Sequence, residues 1–264
     1  DTNGRDEQYV RAKMRWVANA SMQWDLTGFY GRADNGYDAF VLDNNGFTTF
    51  SDEPGQDFQE TLGASLRGTF TGWESVALTS VTSGTFTDSI NSYDADWTAA
   101  SYGGFSRLDR ERTVLSQEFR LDSTDDEDAF GWIDRWTFGA YLQSLEEDST
   151  GLYRDFFTPE GDFDTVYESQ TLAIFGQLAH NISSKSRIML GLRAEQFDLE
   201  TRSEFRAEDN DFDDTLWGGK LTFEQDIAPG QMIFVSATRG YKAGGANIYP
   251  FLENTDPLIY DTET

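Results

Sequence analysis

The feature that most limits the fold of this chain is a hydrophobic period of two, which recurs from one end to the other. In the segment 186–196, SRIMLGLRAEQ, Ile188, Leu190 and Leu192 alternate with residues that include Arg193 and Glu195. A β-strand points successive side chains to opposite faces. One face of this segment is therefore apolar, and the other carries a pair of opposite charges.

The same period predicts ten strands and almost no helix, so the predicted fold class is all-β. The fourth predicted strand is rich in Thr, Ser and Val, and its two faces are ambiguous. The predicted strands cover 7–19, 21–33, 57–70, 74–89, 111–122, 131–146, 165–181, 186–205, 213–226 and 231–243.

The connections between these strands alternate between short and long. Short links follow the odd-numbered strands, and the longest of the other links are 34–56, 91–110 and 147–164. In an antiparallel sheet this places every tight turn at one end and every long loop at the other. Outer-membrane barrels are built in this way, with short periplasmic turns and long extracellular loops. We therefore predict a transmembrane antiparallel β-barrel with the long loops on the cell surface.

In a barrel of this kind, the two faces of the segment 186–196 meet different environments. Ile188, Leu190 and Leu192 should face lipid, whereas Arg193 and Glu195 should face the lumen. A soluble β-sandwich or β-helix also alternates, but it gives little reason for charge opposite the apolar face in strand after strand. Nor does it explain the alternating loop lengths.

Composition excludes several classes of function. The net charge of −27 and the pI near 4.1 disfavour binding to nucleic acid. The absence of cysteine excludes a disulfide framework, a cysteine zinc site and thiol catalysis within this chain. Aromatic residues make up 15% of a chain whose mean hydropathy is −0.56, which suits many semi-exposed strands better than a helical core.

Five stretches resemble the β-barrel of TonB-dependent outer-membrane receptors. Their order and spacing are more specific than any one of them. They are SQEFRL at 116–121, IFGQ at 174–177, LGLRAE at 190–195, GGKLTFE at 218–224 and RGYKAGGAN at 239–247.

The resemblance implies a barrel of about 22 strands that is closed by an N-terminal plug domain. It implies a location in the outer membrane of a Gram-negative bacterium, in contact with lipid and lipopolysaccharide. Such a receptor imports a scarce nutrient, most often a ferric siderophore, with energy from the TonB inner-membrane complex acting through the plug. The chain is then neither an enzyme nor a cofactor protein. Residues 1–264 are expected to be part of the barrel, with the plug, the TonB box and the closing strands absent from them.

Two other functions remain open from the residues themselves. A passive, porin-like channel would have no plug encoded upstream in the parent gene and would need no energy partner. A soluble β-rich carbohydrate-binding module would not require detergent for extraction.

Aromatic residues in the predicted long loops are the candidate ligand-binding groups. Exposed aromatics above a barrel can stack on a ligand, although they can equally pack the loops against one another. The candidates are Tyr37, Trp97, Tyr102, Tyr153 and Phe156.

Three further features suggest structure more than chemistry. His180 is the single histidine and ends a strand beside a tight turn, so neither catalysis nor metal binding is expected there. The run EDNDFDD, 208–214, is expected to be a solvated acidic loop tip rather than a cation site. Tyr241, in RGYKAGG, is expected to be an anchor at the membrane interface, with the glycines allowing a bent strand end.

Overall fold

A computed structural model describes residues 4–36, 49–53, 55–98, 104–124, 132–154, 161–204, 208–246 and 259–264. These residues form one ten-stranded sheet whose strand order follows the sequence, together with a two-stranded hairpin. Within the described ranges, no helix is long and apolar enough to cross a bilayer.

All ten predicted strands are present, and each pairs antiparallel with its neighbours in sequence. Two short strands form the separate hairpin. The strands are β1 Glu7–Asn19, β2 Met22–Gly36, β3 Gln56–Phe70, β4 Val76–Asp94, β5 Phe105–Ser123, β6 Arg135–Arg154, β7 Gly161–Ser183, β8 Ser186–Ser203, β9 Glu208–Ala228, β10 Gln231–Arg239, β11 Gly245–Ala246 and β12 Ile259–Tyr260.

The strands extend further toward the long-loop end than the sequence predicts. The segments 91–94, 105–110, 147–154 and 161–164 were predicted as loop, but they belong to β4, β5, β6 and β7. Most of their side chains are polar, and their few apolar residues, such as Phe105, Leu108 and Phe163, do not form the alternation that identifies a strand. Backbone ladder bonds do not require an apolar face, and pairing therefore continues beyond the apolar part of each strand.

The predicted asymmetry of the two ends is seen in part. Two-residue turns join β1 to β2, β7 to β8 and β9 to β10, all at one end of the sheet. In the last of these turns Gly230 has φ +73°, a conformation that glycine adopts without a steric penalty. The longest connection, 37–55, lies at the opposite end, but 124–134, which joins β5 to β6 at the short-turn end, is longer than 204–207, which joins β8 to β9.

The register sorts the side chains into an apolar face and a polar face. Leu178, Leu190 and Leu221 are directly paired across β7, β8 and β9, and Met14, Leu26 and Leu66 are paired in the same way across β1, β2 and β3. Leu190, Leu192 and many other members of the apolar face are exposed. The register also resolves β4, because Leu78 is paired with Leu121 on this face. A contiguous exposed apolar face marks a surface that something else covers.

Aromatic side chains border the apolar face at the short-turn end. Trp16 and Trp24 are directly paired there, and Phe70 forms an edge-to-face contact with Trp73 at 5.1 Å between ring centroids. Trp136 is the second residue of β6, at the same end. Aromatic girdles of this kind mark the interfaces of membrane barrels.

Carboxylates lie beyond the apolar side chains at the long-loop end of the same face. Glu146, Glu168, Glu200 and Asp211 are directly paired across β6, β7, β8 and β9 and form an acidic row. The run 208–214 is thus part of β9 and not the predicted loop tip, and its residues alternate between the two faces. We call this set of four residues the acidic row.

Candidate functional site on the polar face

The polar face carries most of the ion pairs that the strands make. Arg15 contacts Asp25 at 2.6 Å, and Arg120 contacts Glu118 at 3.0 Å. In the second pair, Arg120 is neutralised by a carboxylate two positions earlier on the same strand. Basic residues on this face include Arg11, Lys13, Arg15, Arg67, Arg110, Arg112, Arg120, Arg193 and Lys220.

The first cluster on this face is centred on Arg193 in β8. Its guanidinium donates to Glu195 at 2.7 Å and to the Tyr241 hydroxyl at 3.1 Å. That hydroxyl donates in turn to Glu195 at 3.0 Å. The ring of Tyr141 lies 5.6 Å from the guanidinium carbon, within the range of a cation–π contact. The predicted pairing of Arg193 with Glu195 is confirmed.

Tyr241 therefore does not anchor the chain in the membrane interface, and that prediction was wrong. The chain leaves β10 after Arg239 and turns onto the polar face. Gly218 makes room for this, since a Cβ at Gly218 would lie 3.0 Å from both the Tyr241 ring and the Arg239 carbonyl oxygen. On the polar face the Tyr241 hydroxyl has hydrogen-bond partners, Arg193 and Glu195, which lipid would not provide.

The segment after Tyr241 continues along the polar face of β9. Thr262 donates to Asp214 at 2.5 Å, and the backbone N–H of Gly244 donates to Thr262 at 3.2 Å. A Cβ at Gly244 would lie 2.4 Å from the Tyr260 carbonyl oxygen and 2.7 Å from the Phe212 ring. Glycine is needed here for close approach to β12 and β9, and not for the bent strand end that the sequence suggested.

The second cluster lies nearer the long-loop end. Arg112 forms an ion pair with Glu147 of β6, and Arg110 lies 3.7 Å from the same carboxylate. Tyr167 of β7 is paired with Glu147 in the register and borders the cluster. Two guanidinium groups that share one carboxylate leave a local excess of positive charge. This excess faces the same side as the Arg193 cluster.

The connection after β4 is built around two aspartates. Asp94 accepts hydrogen bonds from the backbone N–H groups of Asp96 and Trp97 at 2.9 and 2.8 Å. Asp96 accepts hydrogen bonds from Gly104 at 2.6 Å and from Thr98 at 2.8 Å. Burial alone would raise the pKa of the Asp96 carboxyl, but these hydrogen bonds outweigh it and hold that pKa below its usual value.

Trp97 has φ +59° at this point, which is rare for a bulky side chain. Such a conformation costs free energy and persists only where its surroundings impose it. The hydrogen bonds of Asp94 and Asp96 impose it here, and they fix the Trp97 backbone beside the end of β4.

A neighbouring segment is fixed to the same end of the sheet. The backbone N–H of Asp52 donates to Asp94 at 3.1 Å, and Glu53 lies 3.3 Å from Arg154 at the end of β6. The Arg154 guanidinium carbon lies 5.4 Å from the ring centroid of Phe105. These contacts connect the ends of β4, β5 and β6 around Trp97.

Two of the five predicted ligand-binding aromatics fall within the described residues. Trp97 follows β4, and Tyr153 lies on the polar face next to the last residue of β6. Phe105 pairs with both Asp94 and Arg154, so both aromatics belong to the same end of the sheet. The remaining three, Tyr37, Tyr102 and Phe156, lie outside the described residues.

Sequence reasoning missed Arg112 and Tyr241 as members of clusters. Arg110 fell in the predicted loop 91–110, and the carboxylate that it shares with Arg112 lies on the next strand, 35 positions away from Arg112. Cross-strand register supplies that partner, and a single sequence does not give the register.

His180 lies at the short-turn end, as predicted, away from both clusters. Its Nδ1 is 3.3 Å from Asp134, and its ring meets that of Trp132 edge-on at 6.4 Å. A hydrogen bond from the backbone N–H of Asn181 is the main cause that lowers the pKa of Asp134. In the part of the chain that the structure describes, no group of three or more acidic or histidine side chains is placed to hold a metal ion.

A sequence search decides the family. The family described as "TonB dependent receptor-like, beta-barrel" matches residues 2–259. The chain belongs to the TonB-dependent receptor family. No curated protein sequence matches the chain. TonB-dependent receptor barrels span the outer membrane, and in such barrels an apolar face meets lipid and a polar face lines the lumen.

Solved receptors of this kind share the fold at low sequence identity. The ferric yersiniabactin uptake receptor FyuA from Yersinia pestis is 17% identical, with a TM-score of 0.76 over 98% of this chain and 41% of its own. The ferric preacinetobactin receptor BauA from Acinetobacter baumannii is 11% identical, with a TM-score of 0.71 over 99% of this chain and 43% of its own. The copper transporter OprC is 16% identical, with a TM-score of 0.68 over 91% of this chain and 37% of its own.

This chain therefore spans about two-fifths of the receptors that it matches. The predicted family and all-β fold are confirmed. The sheet of described strands is an open portion of such a barrel. The family and its solved relatives are transport receptors and not enzymes.

Proposed function

We propose that this chain forms part of the barrel wall of an outer-membrane receptor that imports a ferric siderophore with energy from TonB. The observation that carries the proposal is the family match over residues 2–259, joined to an apolar and a polar face in continuous register. FyuA is a ferric yersiniabactin uptake receptor and BauA a ferric preacinetobactin receptor, which supports iron chelates as the class of cargo.

The polar face suggests where a chelate meets the wall. Arg110 and Arg112 share one carboxylate and lie toward the long-loop end, where cargo would enter. The acidic row, by contrast, is on the other face of the sheet. Its field acts on the lipid side, so it opposes an anionic ligand inside the lumen less directly than carboxylates on the polar face would.

The intact receptor that contains this chain provides the test. Cells that produce it would be supplied with radiolabelled iron in hydroxamate, catecholate and carboxylate chelates, with and without a functional TonB gene. The proposal expects TonB-dependent uptake of at least one chelate. Uptake that is unchanged without TonB would instead support the passive channel.

A matched pair of variants tests the wall contact. Arg112→Gln removes a polar-face guanidinium, whereas Arg202→Gln removes one on the other face that also lies near a glutamate, at 3.9 Å. Loss of a charge-assisted contact should weaken chelate binding about tenfold for Arg112→Gln. Arg202→Gln should bind as the unaltered receptor does, and equal losses in both variants would contradict the proposed contact.

A further inference from the structure

The polar face holds the side chain of Tyr241 in the way that a binding site holds a ligand. The Tyr241 hydroxyl accepts a hydrogen bond from the Arg193 guanidinium at 3.1 Å and donates one to Glu195 at 3.0 Å. Only 12% of the Glu195 side chain is exposed, so its carboxylate is satisfied by donors from the protein. The wall therefore offers one donor and one acceptor to a single oxygen atom.

The space for the aromatic ring is made by Gly218. This residue of β9 is buried and is paired with Arg193 in the register. Any Cβ at Gly218 would lie 3.0 Å from the Tyr241 ring, so the ring occupies room that only glycine leaves free. Tyr141 closes the other side of the cluster, with its ring 5.6 Å from the guanidinium carbon of Arg193. We call Arg193, Glu195, Tyr141 and Gly218 the phenol site.

The hydrogen-bonding capacity of the phenol site selects a neutral hydroxyl group. A hydroxyl both donates and accepts, as the positions of Glu195 and Arg193 require. A phenolate or carboxylate has no hydrogen to donate and would bring a second negative charge to Glu195. The charge of Arg193 is already balanced by Glu195 at 2.7 Å, so the site has no excess positive charge for an anion.

The segment that carries Tyr241 is held in a way that permits its release. Residues 240–246 and 259–264, which we call the strap, are joined by backbone hydrogen bonds between Lys242 and Glu263. In the described ranges, one further side-chain hydrogen bond, from Thr262 to Asp214, joins the strap to the wall. Departure of Tyr241 would leave Arg193 and Glu195 paired with each other. No uncompensated charge would then remain on the wall.

We propose that the phenol site binds a neutral phenol group of a ligand in the lumen, which displaces Tyr241 and releases the strap. In the structure the receptor fills the site with its own tyrosine. The link to cargo rests on the proposed transport function, because it requires a phenol-bearing ligand to enter the lumen. The preference of the site for a phenol rests on the contacts of Tyr241 alone.

Chemical rescue in the purified intact receptor tests the site. Tyr241→Ala empties it, and para-cresol, which is the tyrosine side chain as a free molecule, is the probe. By NMR saturation transfer, this variant should bind para-cresol about tenfold more tightly than toluene or para-methylanisole, which cannot donate to Glu195. Equal binding of para-cresol and toluene would overturn the proposal.

The charge of the probe provides a second test in the same variant. para-Nitrophenol ionises near neutral pH, and its phenolate should bind about tenfold more weakly than its neutral form. para-Cresol stays neutral over this pH range, and its binding should not change. Tighter binding of the phenolate would show an anion site and would overturn the assignment.

Hydrogen exchange in the strap tests displacement in the unaltered receptor. para-Cresol should accelerate exchange in residues 240–246 and 259–264, and toluene should not. Tyr241→Phe should exchange about tenfold faster there without any probe. Tyr30→Phe is the matched control, because it removes a hydroxyl that donates to Glu60 on the apolar face, and it should leave strap exchange unchanged.

An equal response of the strap to para-cresol and toluene, or none to either, would overturn displacement even if Tyr241→Ala failed to fold. The probes carry no iron. A receptor that transports no chelate would therefore contradict the proposed function and leave these results as they are.

Discussion

Replacing Leu190 by Arg is the sharpest test of which face meets lipid. Leu190 is one of the middle apolar positions of β8, flanked along the strand by Ile188 and Leu192, and it is paired on both sides with leucine. An arginine near the bilayer midplane of a barrel costs about 2–4 kcal/mol. At about 1.4 kcal/mol per factor of ten, the folding equilibrium constant should fall by roughly 30- to 700-fold.

Met189→Arg is the matched control for this change. Met189 is the adjacent residue, similar in size to Leu190, but it lies on the polar face between Ala179 and Thr222. The same charge there reaches the lumen and should cost much less. Urea titration of the intact receptor folded in lipid vesicles measures both free energies of unfolding. If Met189→Arg were the more destabilising change, the face assignment would be refuted.

Three further predictions follow from the described contacts. Glu200→Gln, in the middle of the acidic row, should stabilise the intact receptor by about 0.2–1 kcal/mol, since like charges directly opposite repel. The increase in the free energy of unfolding should shrink in high salt. A decrease in the free energy of unfolding, measured by urea titration, would contradict repulsion within the acidic row. Hydrogen bonds lower the pKa of Asp96, so the ionised carboxylate should stabilise its loop at pH values above the ordinary carboxyl pKa. This stabilisation should be lost as the pH falls from the ordinary carboxyl pKa to the lower pKa of Asp96. Hydrogen exchange in residues 95–98 should follow this pH dependence in the unaltered receptor and lose it in Asp96→Asn, and an unchanged profile in the variant would contradict the role of Asp96. Glu204→Cys should react with an impermeant thiol reagent on intact cells and Lys185→Cys should not, because they lie at opposite ends of β8; the reverse pattern would invert the orientation.

The sequence was sufficient to predict the ten strands of the main sheet and, except in β4, their two faces. A period of two is a local property, and Leu190 and Arg193 alternate whatever their neighbours are. The short–long alternation of the links was local as well, and it gave the antiparallel order and the two ends. The family resemblance rested on short stretches along the strands, and the family match confirmed it.

The positions at which the strands end could not be predicted from the sequence. Residues 147–154 carry charge on both faces, so they lack the signal that marks a strand, yet β6 continues through them by pairing with β5 and β7. Strand pairing is stabilised by hydrogen bonds to the backbone of a neighbouring strand, and that strand is present only in the assembled sheet.

Partners across the sheet were decided by the tertiary structure alone. Tyr241 looked like an interfacial anchor, but the turn after β10 carries it onto the polar face, where Arg193 and Glu195 satisfy its hydroxyl. Arg239 and Trp217 are likewise 22 positions apart and meet only because β9 and β10 pair. The sequence by itself determined which face each side chain takes, because alternation is set by the geometry of one strand. The tertiary structure decided what each side chain meets there, because register and chain reversal bring distant residues together.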